Sequence, residues 1–197
     1  MSRALLLVAH PNDEAVFAGQ LLLSTPRTEW DIACLTLPAE QARIDSLNES
    51  TEVLRDLGVS IVRLHKIGLS DGGLVPTSEW YQDGLWRVRQ LVNMAEYDAV
   101  FTHNRKGDYG HPHHIACNAI AREVHGTVLE FLYPGATGIG QQSHGMYTRG
   151  FGVLSGKHQV LRVYQAEMDQ LLLHYPELHQ WAHNGPEDFT GPCRWPL

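Results

Sequence analysis

The sequence predicts an α/β fold, a Rossmann-like three-layer sandwich with a mostly parallel sheet of about five or more strands. Three observations predict it. Short, continuously apolar runs such as ALLLVA at 4–9 are typical of strands buried on both faces of a parallel sheet. Between such runs lie longer segments whose apolar residues recur every three or four positions, the period of a helix packed on one side. The two kinds alternate along the chain, as βαβ units do.

Residues 4–9 form the first strand. Residues 14–24, EAVFAGQLLLS, follow as a helix, and 31–37, DIACLTL, as the second strand. A helix over 40–57 puts Ile44, Leu47, Thr51, Leu54 and Leu57 on one face, and Gly58 stands where a left-handed cap would end it. VSIVRLH at 59–65 reads as the third strand. LSDGGLVP at 69–76 reads as a loop, broken by Gly72, Gly73 and Pro76. The helical period returns over 78–95 with Leu85, Val88, Leu91 and Val92. DAVFTH at 98–103 and TVLEFLY at 127–133 are the fourth and fifth strands, separated by the loop NRKGDYGHPH and a helix at 113–124. Beyond 133 the pattern weakens. An irregular glycine-rich loop is expected over 134–156 and a helix near 157–174. No repeat or low-complexity tract divides the chain, so 1–197 is expected to be a single domain.

Composition excludes several function classes. The formal net charge is −7, from 15 basic and 22 acidic side chains, with no basic run to neutralise phosphates, so nucleic acid is not an expected partner. The three cysteines, Cys34, Cys117 and Cys193, are far apart and have no CxxC spacing, which fits neither a disulfide framework nor a thiolate zinc site and suits a reducing, cytoplasmic compartment. No apolar run is long enough for a membrane span. A homo-oligomer is compatible with this composition.

Chemistry-bearing residues gather at two strand ends. AHPNDE, 9–14, follows the first strand, and GDYGHPHH, 107–114, follows the fourth. In an open α/β sheet, sites form at carboxyl ends of strands, where strand order reverses. His10 and Asp13 are three apart at a turn and can face one point above the sheet. Two imidazoles and one carboxylate are a frequent catalytic zinc set that leaves one position for water. Taken singly, neither segment is convincing, since the first also fits a turn with a capping Asp13 and the second a helix start with incidental histidines; together on one sheet they point to a metal site.

The two segments resemble the AHPDDE and GxYGHPDH motifs of the LmbE-like, or PIG-L, zinc-dependent N-deacetylases. NESTEVLRDLGV, LSDGGL and VFTHN resemble the intervening segments of that family, so the likeness covers roughly 4–133. The resemblance implies zinc (or another divalent metal) held by His10, Asp13 and His114. It also implies charge stabilisation and proton handling by His111, and a carbonyl-polarising role for Tyr109. The implied reaction removes an acyl group, usually acetyl, from the nitrogen of an amino sugar or its conjugate. Arg43, Asp71 and Asn104 are the expected substrate contacts, and residues 134–197, including His144, are expected to shape the pocket. Two positions depart from the pattern. The family's general base, the first Asp of AHPDDE, is Asn12 here, and the Asp of GHPDH is His113. An amide has no basic form at neutral pH. Either another group, His111 or His113, acts as base, or the chain binds metal and a sugar-like ligand without turnover.

Overall fold

The computed structural model describes residues 2–73, 75–132, 151–176, 178 and 188–190. In chain order the elements are β1 (Ser2–Val8), α1 (Asp13–Ser24), β2 (Thr28–Leu37), α2 (Gln41–Asp56), β3 (Ile61–Ser70), α3 (Ser78–Asn93), β4 (Ala99–Thr102), α4 (Pro112–Val124), β5 (Val128–Leu132), α5 (Phe151–Val163), α6 (Gln165–His174) and β6 (Asp188–Thr190). One sheet holds all the strands in the order β3-β2-β1-β4-β5-β6. The first five are parallel, and β6 joins β5 antiparallel. This is the expected three-layer α/β architecture.

β1 shows why the apolar runs are continuous. Ala4, Leu6 and Val8 enter one core with α1, α2, α5 and α6; Leu5, Leu7 and Ala9 enter the other, with α3 and α4. All six side chains are fully buried. Successive strand residues point to opposite faces, so a strand covered on both sides needs no polar position.

The helix ends follow local chemistry. Gly58 takes φ +91° and its N–H bonds Arg55 O at 2.9 Å, closing α2 with a left-handed cap. Thr77 caps α3 by accepting from Trp80 N at 3.1 Å. Pro112 occupies the first turn of α4, where its missing N–H is not needed.

The structure differs from the expectation in three places. β3 runs five residues past His65, because Thr36 and Leu37 pair with Leu69 and Ser70 across an irregular register. Its polar side chains hid this extension, since β3 is an edge strand with exposed positions. The expected helix near 157–174 is two helices, α5 and α6, broken at Tyr164. Tyr164 is buried there, its hydroxyl donating to Glu14 Oε1 at 2.6 Å. α5 begins at Phe151, inside the expected loop; most of that loop, with His144, lies outside the described residues.

Candidate metal centre and active site

β1 lies between β2 and β4, so the chain's crossover direction reverses between β1 and β4. The two sequence clusters meet above this point. At the end of β1 the backbone turns through Asn12, at φ 90°, a conformation asparagine tolerates better than most residues. Asp13 begins α1, and its Oδ2 accepts the His10 backbone N–H at 2.7 Å. The second segment turns through Gly107 and Asp108, at φ 73° and 61°. A Cβ on Gly107 would stand 2.6 Å from His111 O, so this turn requires glycine. Asn104 organises the loop: its Oδ1 accepts the N–H groups of Lys106 and Asp108, and its Nδ2 donates to Asp108 Oδ1. It was expected at the substrate; both polar atoms of its buried side chain are engaged inside the loop.

Three donor atoms converge. His10 Nδ1 and His114 Nε2 are 3.2 Å apart, and Asp13 Oδ2 lies 3.4 and 3.5 Å from them respectively. Donors about 2.0–2.1 Å from a tetrahedral ion are about 3.3–3.4 Å apart, so this triangle fits three ligands of such an ion with a fourth position open. Further groups brace the triangle. Asp108 Oδ2 bonds His114 Nδ1 at 2.8 Å and His103 Nδ1 at 2.5 Å, which leaves His114 Nε2 bare. His103 Nε2 lies 3.2 Å from Asp13 Oδ2.

The electrostatics suit this arrangement. Burial opposes the charge on Asp13, but His114 and His103 hold its carboxyl well below the usual range. Burial, with help from His103, brings His114 down to about 4, so its resting form is a neutral ligand. Burial alone would lower His103; the charges of Asp108 and Asp13 outweigh it and bring it up to about 9. His103 ends the fourth strand's segment and Asp108 lies in the loop that follows it. They are buried together as a carboxylate–histidine pair beneath the donor triangle, a role that neither residue type nor position in a loop reveals. Glu14 stands in the first turn of α1. It is fully buried and accepts from the Tyr164 hydroxyl, from Asn12 N and from the Ser50 hydroxyl, the last at 2.6 Å; burial raises it to about 7.

Tyr109 and His111 flank the triangle. Tyr109 packs on His114 and His111, with ring centroids 5.3 and 5.8 Å away. His111 caps α4, its Nδ1 accepting His113 N–H, which makes Nε2 the protonated nitrogen. Burial and the neighbouring His114 bring it down to about 3. His113 lies across His10 from the triangle, its Nδ1 3.0 Å from His10 Nε2.

Arg43 and Asp71 are joined at 2.7 Å, and Asp71 approaches His10. Sequence reasoning missed Glu167, on α6. Its Oε2 accepts from Arg43 Nε at 3.2 Å and from Asn12 Nδ2 at 3.3 Å. Asn12, Arg43, Glu167, Leu171, His174 and Tyr175 line an open groove of about 430 Å³. Only the tertiary fold brings α6 to position 12, 155 residues away.

Comparison with known proteins bears on the fold and the family. Uncharacterized protein L374 of Acanthamoeba polyphaga mimivirus is 24% identical over 141 residues, 66% of this chain and 60% of that protein. The chain thus matches less than two thirds of that relative's length. Among solved structures, the zinc-inhibited form of a teicoplanin deacetylase aligns with TM-score 0.68 at 13% identity, over 96% of this chain and 97% of that one. N,N'-diacetylchitobiose deacetylase from Pyrococcus horikoshii aligns with TM-score 0.69 at 14% identity, over 96% and 83%. The 4-carboxy-2-hydroxymuconate hydratase from Pseudomonas putida KT2440 aligns with TM-score 0.64 at 13% identity, over 100% and 98%. At these identities the structures share the fold, and a hydratase among them shows that the fold by itself does not fix the reaction. The family model for PIG-L, GlcNAc-PI de-N-acetylase, matches residues 5–125, and the chain belongs to that family.

Proposed function

We propose that the protein is a metal-dependent hydrolase that removes an acyl group, acetyl above all, from the nitrogen of an amino sugar or related small amide. The observation that carries this reading is the near-equilateral triangle of His10 Nδ1, Asp13 Oδ2 and His114 Nε2. These three residues would hold zinc or another divalent ion. Such an ion supplies Lewis acidity and lowers the pKa of water from 15.7 to about 7.

The chain's own residues supply the rest. Tyr109 keeps its proton, because burial and the charge of Asp13 push its pKa well up. Its hydroxyl donates to the substrate carbonyl oxygen. His111 offers its Nε2–H to the same oxygen as negative charge develops there. Pre-set donors of this kind stabilise the transition state at no cost of reorganisation. Glu167 is the carboxylate that touches Asn12. In this proposal it accepts the proton that residue 12 cannot, while the Asn12 carbonyl orients the attacking water. Burial raises Glu167 from its ordinary value against the opposing pull of Arg43, the direction that suits a base. His113 serves less well as base, since its Nδ1 faces His10. Arg43, which lines the groove, and Asp71, held to it at 2.7 Å, are the substrate contacts. Two described cysteines, Cys34 and Cys117, are buried free thiols, in keeping with a cytoplasmic site of action. No described helix is long and apolar enough to cross a membrane.

A second reading, motivated by Asn12, is a disarmed protein that binds metal and a sugar-like ligand without turnover. Metal content and deacetylation of N-acetylglucosamine conjugates, measured for the original chain and Asn12→Asp, separate the two. At least one ion per chain, with activity in the original, is the expected result. Activity in Asn12→Asp alone would establish the disarmed reading, and absence of any metal would sink both.

A further inference from the structure

His10 presents both ring nitrogens to clusters of donors. Nδ1 belongs to the triangle described above. Nε2, on the opposite edge of the ring, is 3.0 Å from His113 Nδ1 and 3.4 Å from Asp71 Oδ1, and these two atoms are 3.9 Å apart. Two imidazole nitrogens and a carboxylate oxygen thus form a second triangle of the same composition as the first, somewhat wider and less regular.

The side chains of this second triangle are held in place from outside it. The His113 ring is stacked on Trp80, with centroids 5.2 Å apart and planes 5° from parallel. Its side chain is 2% exposed. Asp71 is fixed through its other oxygen, Oδ2, by Arg43 Nη1 at 2.7 Å, which leaves Oδ1 turned toward the two imidazoles. The Arg43 charge opposes a cation nearby, but it faces the oxygen that the triangle does not use. A plain hydrogen bond accounts for one contact here, not three. A single Nε2–H on His10 serves His113 or Asp71, not both at full strength.

We propose that His10 Nε2, His113 Nδ1 and Asp71 Oδ1 form a second divalent-cation site, with the His10 ring bridging two ions. The proposal rests on the reading of the first triangle as a metal site. The cation class is that of borderline ions, zinc and copper(II), which accept mixed imidazole and carboxylate ligands. When the second ion binds, the N–H bond at His10 Nε2 breaks, a nitrogen–metal bond forms, and the proton passes to solvent. The second site is weaker than the first, because its triangle is less regular and its binding must displace that proton.

Calorimetric titration of the chelator-treated, full chain with zinc, paired with elemental analysis, tests this. The expected result is two equivalents per chain, the second at least about 10-fold weaker and weakening further as pH falls. His113→Ala and Asp71→Asn, each checked for native circular dichroism, are expected to bind one equivalent. With two copper(II) ions loaded, an imidazolate bridge couples their spins, so most of the ordinary single-ion resonance signal should disappear. If His113 only supports His10 by a hydrogen bond, the original chain binds one ion and His113→Ala weakens it about 10–100-fold; that outcome overturns the second site and leaves the first standing. Two equivalents that survive both substitutions, or a full two-spin signal, also overturn it. Binding of no ion overturns the first site and this one together.

Discussion

At position 12 an amide donates to a carboxylate that arrives from another helix. A carboxylate therefore stands in the groove one side chain beyond residue 12. This arrangement makes a reciprocal exchange informative. Glu167→Gln is expected to reduce turnover by about 10²–10⁴-fold, the usual contribution of a general base. The double change Asn12→Asp with Glu167→Gln is expected to restore much of that loss, since it returns one carboxylate to the pair. Asn12→Asp alone sets two carboxyl groups against each other at 3.3 Å and is expected to gain less than the double change. Equal activity of Glu167→Gln and the original, in kcat and in its pH profile, would remove Glu167 from the reaction.

At the level of elements, the sheet is stapled at its other end. Asp31 on β2 is buried and accepts from Arg3 on β1 at 2.9 Å and from the hydroxyl of Tyr97, just before β4; His65 on β3 lies 3.7 Å away. Burial alone would raise the Asp31 carboxyl, but His65, Tyr97 and Arg3 bring it down from 3.8 to about 2. A lowered carboxyl pKa gives stability that is fully present above about pH 4, where the unfolded chain would also be ionised. As pH falls from 4 through 2 the unfolded chain takes up its proton first, and the contribution, about 2 kcal/mol, is lost. Acid unfolding of the original chain should therefore show a steeper fall in stability between pH 4 and 2 than Asp31→Asn does, measured by chemical denaturation at each pH. Parallel curves would mean that Asp31 is not ionised in the folded protein. This cluster sits at the amino ends of the strands, away from the site, so its effect is on stability and not on turnover.

For the whole molecule, the donor triangle ties the β1–α1 turn to α4 across the point where the crossover direction reverses. An ion held there binds the folded chain and not the unfolded one, since the ligands come from positions 10, 13 and 114. Zinc at 100 times its dissociation constant is expected to stabilise the chain by about 2.7 kcal/mol, read as a rise in Tm that a chelator reverses. A Tm indifferent to both would count against any folded-state metal site.

Much of this was legible in one dimension. Doubly covered strands such as β1 announce themselves, because burial on both faces excludes polar residues locally. The residues of the candidate site could be read as well, since His10 with Asp13, and Tyr109 with His111 and His114, are close neighbours in sequence at turns whose geometry is set locally. The edge strand β3 could not be bounded, because its exposed positions carry no burial signal. Glu167, Asp108 and His103 could not be placed, nor could the orientation of His113 toward His10. Their roles come from which side chains end up touching, and that is decided by packing between elements far apart in the chain. The α/β class and the gathering of the candidate site residues at two strand ends are local properties of the sequence. The tertiary structure alone decided which atoms of those residues converge, and that a carboxylate from α6 stands beside Asn12, because contacts over 155 positions follow from the folded sheet and not from any local pattern.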